Sequence, residues 1–285
     1  MTNPTVPNSD TPLSTRPYVR YTPDVEVIEP DEQATIDKII DVMGQGGRLT
    51  QEKHQRYVRT SHAKPYGLVC GQLRVLDDLP EHLRQGLFAV PRVYDVIARL
   101  SQVPGDLTDD RKLSAPRGIA LKVMGVEGPK LSAHEGELTQ DFVLDTGKIF
   151  NAIGPKTFLA QITPVAELAA KTLEVVKGAI SNVTRVANQA LNAVGANSGM
   201  LDFFGHPFIH PLGEPYFSQA PIRYGDYIAK LSVTPDSSVL KEVLGKQIDP
   251  PDYDGLRTIM TAFSDSFCGI RSWYSALYRP GTDAC

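Results

Sequence analysis

Residues 66–76 read Tyr-Gly-Leu-Val-Cys-Gly-Gln-Leu-Arg-Val-Leu, a loosely alternating run that carries two glycines. A strand has this pattern where it bends around a barrel or passes close to a ligand. Residues 118–126 (GIALKVMGV) and 222–233 (IRYGDYIAKLSV) read the same way, so the strands lie far apart along the chain and their sheet is non-local. Ile36, Ile39, Ile40 and Met43 recur at helical spacing after Glu32, and Gly44 supplies a stop. Residues 165–194 are rich in Ala, Leu and Val, with Leu173, Val176, Ile180, Val183, Val186 and Leu191 near the helical period. They predict one long helix, or two broken near Gly178. Strands, then helices, then strands again indicate an α+β fold rather than a βαβ alternation.

The 285 residues, 41% hydrophobic and 22% charged, exclude a disordered chain and a collagen-like repeat. A net charge of −4 argues against a nucleic-acid partner. No apolar run is long enough to span a membrane, and residues 1–23 hold no apolar core of a secretory signal, so the expected address is cytoplasmic. Cys70, Cys268 and Cys285 are odd in number and lack metal-binding spacing, which excludes a disulfide framework and a zinc site. Pro4, Pro7, Pro12, Pro17, Pro23 and Pro30 mark residues 1–30 as a flexible amino-terminal arm.

Three short segments carry chemistry. The first is Arg56-Tyr57-Val58-Arg59-Thr60-Ser61-His62-Ala63-Lys64, just before the glycine-marked strand. The second holds Arg99 and Ser101, and the third is Pro116-Arg117-Gly118-Ile119-Ala120-Leu121-Lys122. In this order the three resemble the catalase family, whose core runs R-x-x-H-A-K-G, then R-F-S, then D-P-R-G-F-A-x-K-F. Residues 140–158, with Asp145, Phe150 and Phe158, look like that family's N-N-T-P-x-F-F region in worn form. The resemblance covers residues 53–159 well and 201–233 more loosely, and is nearest the small catalase-related haem peroxidases. It implies a catalase-like antiparallel β-barrel with appended helices, occupying 31–261, and a haem b cofactor with its iron. A divergent, replacement-like tail follows at 262–285.

The resemblance also implies roles. His62 matches the distal histidine that moves a proton between the two oxygens of a peroxide. Imidazole suits that work because its pKa lies near ambient pH. Ser101 matches a serine that holds this histidine. Arg59 and Arg99 match arginines that pair with haem propionates, and Phe150 and Phe158 match rings near the porphyrin. The implied activity is that of an oxidoreductase, a haem peroxidase or catalase acting on hydrogen peroxide or organic hydroperoxides. An electron donor is left unidentified, and a homo-oligomer is allowed.

Three departures matter. Asp145 stands where the family has an asparagine, and an ionised carboxylate cannot donate the amide's hydrogen bond. Either Asp145 is partly protonated and shares the acid–base work, or catalase efficiency is reduced. Ser61 precedes the histidine where catalases usually carry valine. A hydroxyl directed at the haem or imidazole favours peroxidase chemistry, and resembles the allene oxide synthase branch that acts on fatty-acid hydroperoxides. Finally, the family's iron ligand is the tyrosine of a helical R-x-x-x-Y run, and that spacing occurs here only at Arg223 and Tyr227, inside a strand pattern. Tyr274 and Tyr278 lie nearer the end with no arginine four residues before them, so the metal ligand is unassigned. A non-catalytic relative lacking the proximal tyrosine is therefore a third reading. His206 and His210 have the spacing of a helical metal pair, but Pro207 and Pro211 favour a loop.

Overall fold

A computed structural model describes residues 18–171, 184, 187, 203, 205–266 and 273–277. Residues 1–17 of the expected arm, most of the expected helix at 165–194, Cys268, Tyr278 and Cys285 lie outside the described residues.

Helix α1 runs Glu32–His54 and α2 runs Pro155–Lys171, and the two pack together. Between them come β1 (Pro65–Arg74), β2 (Val93–Gln102), β3 (Arg117–Met124) and β4 (Thr139–Asp145). Then follow β5 (Tyr216–Phe217), β6 (Ile222–Tyr224), β7 (Tyr227–Ala229) and β8 (Leu231–Pro235). The chain continues through α3 (Ser238–Lys241), α4 (Gly255–Ser266) and β9 (Trp273–Leu277). Seven strands form one curled antiparallel sheet in the order β1-β2-β3-β4-β5-β8-β9, and β6 and β7 form a hairpin beside it. The architecture is α+β. Among the described residues β1 and β9 are the two edges and do not pair with each other, so the expected barrel is an open sheet here.

Alternation sorts the strands into two faces. Ala98, Leu100, Ile119, Val123 and Leu144 point to one face and, with Tyr216, Leu231 and Val233, make the core. Leu256 and Met260 of α4 join it, and α4 rests on β1. A cavity of about 70 Å³ between residues such as Leu121, Leu144 and Val233 is too small for a cofactor. The opposite face carries Arg99, Ser101, Gly118, Ala120, Val143 and Asp145.

Two expectations are corrected. Helix α1 passes straight through Gly44 and ends ten residues later, because its last turns are held by tertiary contacts. Thr50 Oγ1 donates to Gly105 O at 3.1 Å, while Lys53 Nζ and His54 Nε2 lie 2.8 and 2.7 Å from the Asp106 carboxylate. A Cβ on Gly47 would lie 2.6 Å from Thr60 Cγ2, so that glycine admits the segment leading to His62. Residues 222–233 are three strands rather than one, because Gly225 adopts φ +59 and turns the chain between β6 and β7. Arg20 bridges to Tyr227 in this hairpin. No helix among the described residues is long and apolar enough to cross a membrane.

Leu100 is 0% exposed and Leu68, on the opposite face, is 71% exposed. Leu100→Ala is expected to lower the unfolding free energy by about 2–5 kcal/mol, and Leu68→Ala by less than about 0.5 kcal/mol, measured by urea unfolding of the full chain.

Candidate active site

The sheet register builds the site. Ser101 of β2 lies opposite Gly118 of β3, and Gly118 lies opposite Asp145 of β4. Directly opposed residues share a face and neighbouring strands are about 4.8 Å apart. The row therefore presents a hydroxyl, a gap and a carboxylate. His62 fills the gap: a Cβ on Gly118 would lie 2.4 Å from its Cε1 and 2.8 Å from its Nδ1. Only glycine leaves room for the ring.

Backbone contacts hold the histidine over the row. Its N–H donates to Val103 O at 2.9 Å, the Ala63 N–H donates to Pro104 O at 3.1 Å, and the Gln102 N–H donates to Lys64 O at 3.1 Å. His62 itself adopts φ +52, in the left-handed region. That conformation is uncommon for a residue with a side chain, and the neighbouring bonds stabilise it. Lys64 anchors the next position. Its buried Nζ donates to Asp110 Oδ1 at 2.8 Å, to Thr108 O at 2.7 Å and to Tyr253 O. Gln102 Nε2 donates to the same Asp110 oxygen at 2.6 Å. Burial raises the Asp110 pKa, and Lys64 partly offsets that rise.

The imidazole Nδ1 is 3.1 Å from Ser101 Oγ. Burial, with Arg99 and Arg59 nearby, holds the His62 pKa down to about 4, so the ring is neutral near pH 7. Its Nε2 has no hydrogen-bond partner among the described residues, which leaves that nitrogen able to exchange a proton with a ligand. Asp145 Oδ1 accepts from the Gly147 N–H at 3.2 Å and from Thr146 Oγ1 at 3.3 Å. His62 thus meets Ser101 directly, while Asp145 lies one strand further along the same row, opposite Gly118.

The other expected residues divide. Arg99 Nη2 donates to His62 O at 2.8 Å, and Arg99 and Arg59 line a cleft of about 460 Å³ beside the site. The Phe150 and Phe158 rings pack against each other in a tilted pair, centroids 5.3 Å apart, beside the start of α2. The Ser61 hydroxyl donates to Val103 O at 3.0 Å, so it is committed to the backbone rather than to the imidazole. Arg223 and Tyr227 face each other's strands across the β6–β7 turn. The Arg223 guanidinium lies over Tyr21, and Arg20 covers the Tyr227 ring. The pair therefore has neither the helical placement nor the arginine–phenol contact of the family's ligand run. Tyr274 is in β9, opposite Thr234.

One cluster escaped the sequence reading. Arg117, 1% exposed, donates to Glu214 Oε2, and Glu214 Oε1 lies 2.7 Å from His206 Nε2. Burial alone would raise the Glu214 pKa, but Arg117 and His206 hold the carboxyl below its usual range. This ion pair fastens β3, next to Gly118, to the segment before β5. No spacing signals it, since the partners are nearly a hundred residues apart. His210 accepts from the Leu212 N–H at 3.2 Å in a loop, so the two histidines are not a helical metal pair. No group of metal-binding side chains occurs among the described residues.

No protein-family profile and no curated protein matches the sequence. Among solved structures the chain is similar to catalase A of Saccharomyces cerevisiae, with 16% identity over 88% of this chain and 49% of the catalase, at TM-score 0.45. It is also similar to a fungal catalase, with 15% identity over 88% and 47% at TM-score 0.45. A bacterial catalase matches with 15% identity over 82% and 41% at TM-score 0.38. The chain spans about half the length of the catalases it matches.

The lowered His62 pKa has a sign. An unfolded histidine takes up a proton near pH 6.5 and the folded one only near 4, so stability contributed by the neutral ring is present above about pH 6.5 and is lost as pH falls towards 4. The Cε1–H resonance of His62 is expected to titrate with a midpoint near 4 and to stay unshifted from about pH 6 to 8, where an ordinary histidine titrates.

Proposed function

We propose that the chain is a catalase-like oxidoreductase that binds haem b on the His62 face and cleaves the O–O bond of hydrogen peroxide or an organic hydroperoxide. The observation that carries this reading is the Ser101–Gly118–Asp145 row, with a neutral imidazole in the glycine gap. A porphyrin needs a flat apolar surface beside that imidazole and cations for its two carboxylates. One row along, about 7 Å away, Leu68, Arg99, Ala120 and Val143 lie side by side. Leu68 and Val143 are 71% and 69% exposed on this face. Arg99 and Arg59 supply the cations, whose planar forks suit carboxylates. On this face the residues present fit the group.

Haem held there supplies the redox-active iron that peroxide cleavage requires. The protein's part is proton movement and positioning. His62 Nε2 takes the proton from one peroxide oxygen and returns it to the other, and its neutrality near pH 7 leaves it ready to accept. Ser101 Oγ fixes Nδ1 and hence the ring's orientation. Asp145 offers acceptor oxygens where the family offers an amide donor, which weakens orientation of the peroxide and favours peroxidase turnover over rapid dismutation. The Ser61 hydroxyl donates to Val103 O, so the allene oxide synthase alternative rests on the acceptor lone pairs that this oxygen keeps.

A second reading is a non-catalytic relative. The placement of Arg223 and Tyr227 in an outer hairpin favours it, because among the described residues no helical arginine–tyrosine pair is then available as the iron ligand.

Titration of the full chain with haemin separates the two. The catalytic reading expects a Soret band and peroxide-dependent oxidation of a dye. His62→Ala should keep the band and lose about 10²–10⁴-fold in turnover. A chain that stays colourless at saturating haemin overturns the catalytic reading and leaves the second.

A further inference from the structure

The cleft beside the site holds more positive charge than two propionates require. It is lined by Arg56, Arg59, Arg99 and Arg257, with Lys64 and Asp254 at its wall, and encloses about 460 Å³. That volume is in the range of small-molecule sites. Its one lining carboxylate, Asp254, lies 3.2 Å from Lys64 Nζ, which is already bonded to Asp110. Among the described residues no carboxylate pairs with any of the four arginines. Arg99 and Arg257 each donate one bond to a backbone carbonyl, of His62 and Pro65. Their other N–H groups, and the side-chain N–H groups of Arg56 and Arg59, have no partner among the described residues.

At Arg99 this arrangement is unfavourable for the chain alone. Partial burial, and then the nearby Arg59, act against the charge of Arg99, and among the described residues no carboxylate pairs with either guanidinium. An anion in the cleft removes that repulsion. The arginines come from the segment before His62, from β2 and from α4, so only the folded chain assembles them. A guanidinium fork engages a phosphate through two parallel N–H···O bonds. Four forks around one cleft suit an anion of higher charge than a single carboxylate. In a chain with net charge −4 the local excess also attracts anions selectively to this place.

We propose that the cleft binds a small soluble anion with two adjacent phosphate groups, held by Arg56, Arg59, Arg99 and Arg257. The site does not depend on haem, although it shares Arg59 and Arg99 with the reading above.

Calorimetric titration of the haem-free full chain with inorganic pyrophosphate at low salt tests this. One saturable site is expected, at least tenfold tighter for pyrophosphate than for orthophosphate or acetate. Arg56→Ala with Arg257→Ala should weaken it at least tenfold, while the His62 titration is unchanged. On the unmodified chain, pyrophosphate should protect Arg56 and Arg257 from an arginine-directed reagent, mapped by mass spectrometry. Equal affinity for all three anions, no protection, or undiminished binding in the double variant overturns the proposal. Capture by phosphatidic-acid vesicles with no heat from pyrophosphate also overturns it. A haemin band without pyrophosphate binding sinks this proposal alone, and pyrophosphate binding without a haemin band sinks only the haem reading.

Discussion

The contact between the His62 imidazole and the bare backbone of Gly118 is the constraint on which the rest of the site depends. It works only because β2, β3 and β4 pair in one register. A slip of a single residue would turn Ser101, Gly118 and Asp145 towards the core and bring Leu100, Ile119 and Leu144 to the surface. The apolar side therefore specifies the polar side. Burying those three large side chains selects the pairing, and the hydroxyl, gap and carboxylate follow on the other face.

Fastenings around this contact keep the ring in place. The loop at 103–106 receives hydrogen bonds from both α1 and the His62 segment, so the helix end and the left-handed turn at His62 are tied to one loop. On the core side, Arg117 is the immediate neighbour of Gly118 and is locked to Glu214 and His206. A buried ion pair is weak evidence for stability, since desolvation costs offset much of its attraction. Its consequence here is geometric: it ties β3 to a segment distant in sequence. Lys64, bonded to Asp110 and to the backbone beside α4, does the same for the opposite flank.

Electrostatics then sets the protonation state. A histidine among arginines in a partly buried place gives up its charge, whereas the arginines keep theirs, because the intrinsic basicity of guanidinium far exceeds that of imidazole. The same surroundings thus produce a neutral proton acceptor next to a cationic cleft. Because Arg99 and Arg59 help to hold the imidazole neutral, any anion that pairs with them would ease that effect, so the ring and the cleft are electrostatically linked.

Much of this was legible in the sequence. Hydrophobic alternation identified β1 and β3, the scatter of strand segments required a non-local α+β sheet, and three collinear motifs singled out His62, Ser101 and Arg99. Those signals are local, being set by side-chain type and spacing over a few residues. Other features were decided only in three dimensions. The continuation of α1 past Gly44, the split of 222–233 at Gly225, the bonding of Ser61 to Val103 and the Arg117–Glu214–His206 cluster each join residues through contacts that no spacing encodes. The alignment of Asp145 with Gly118 is of this kind too. Sequence states which groups are present, whereas strand register, a property of long-range packing, decides which of them face one another.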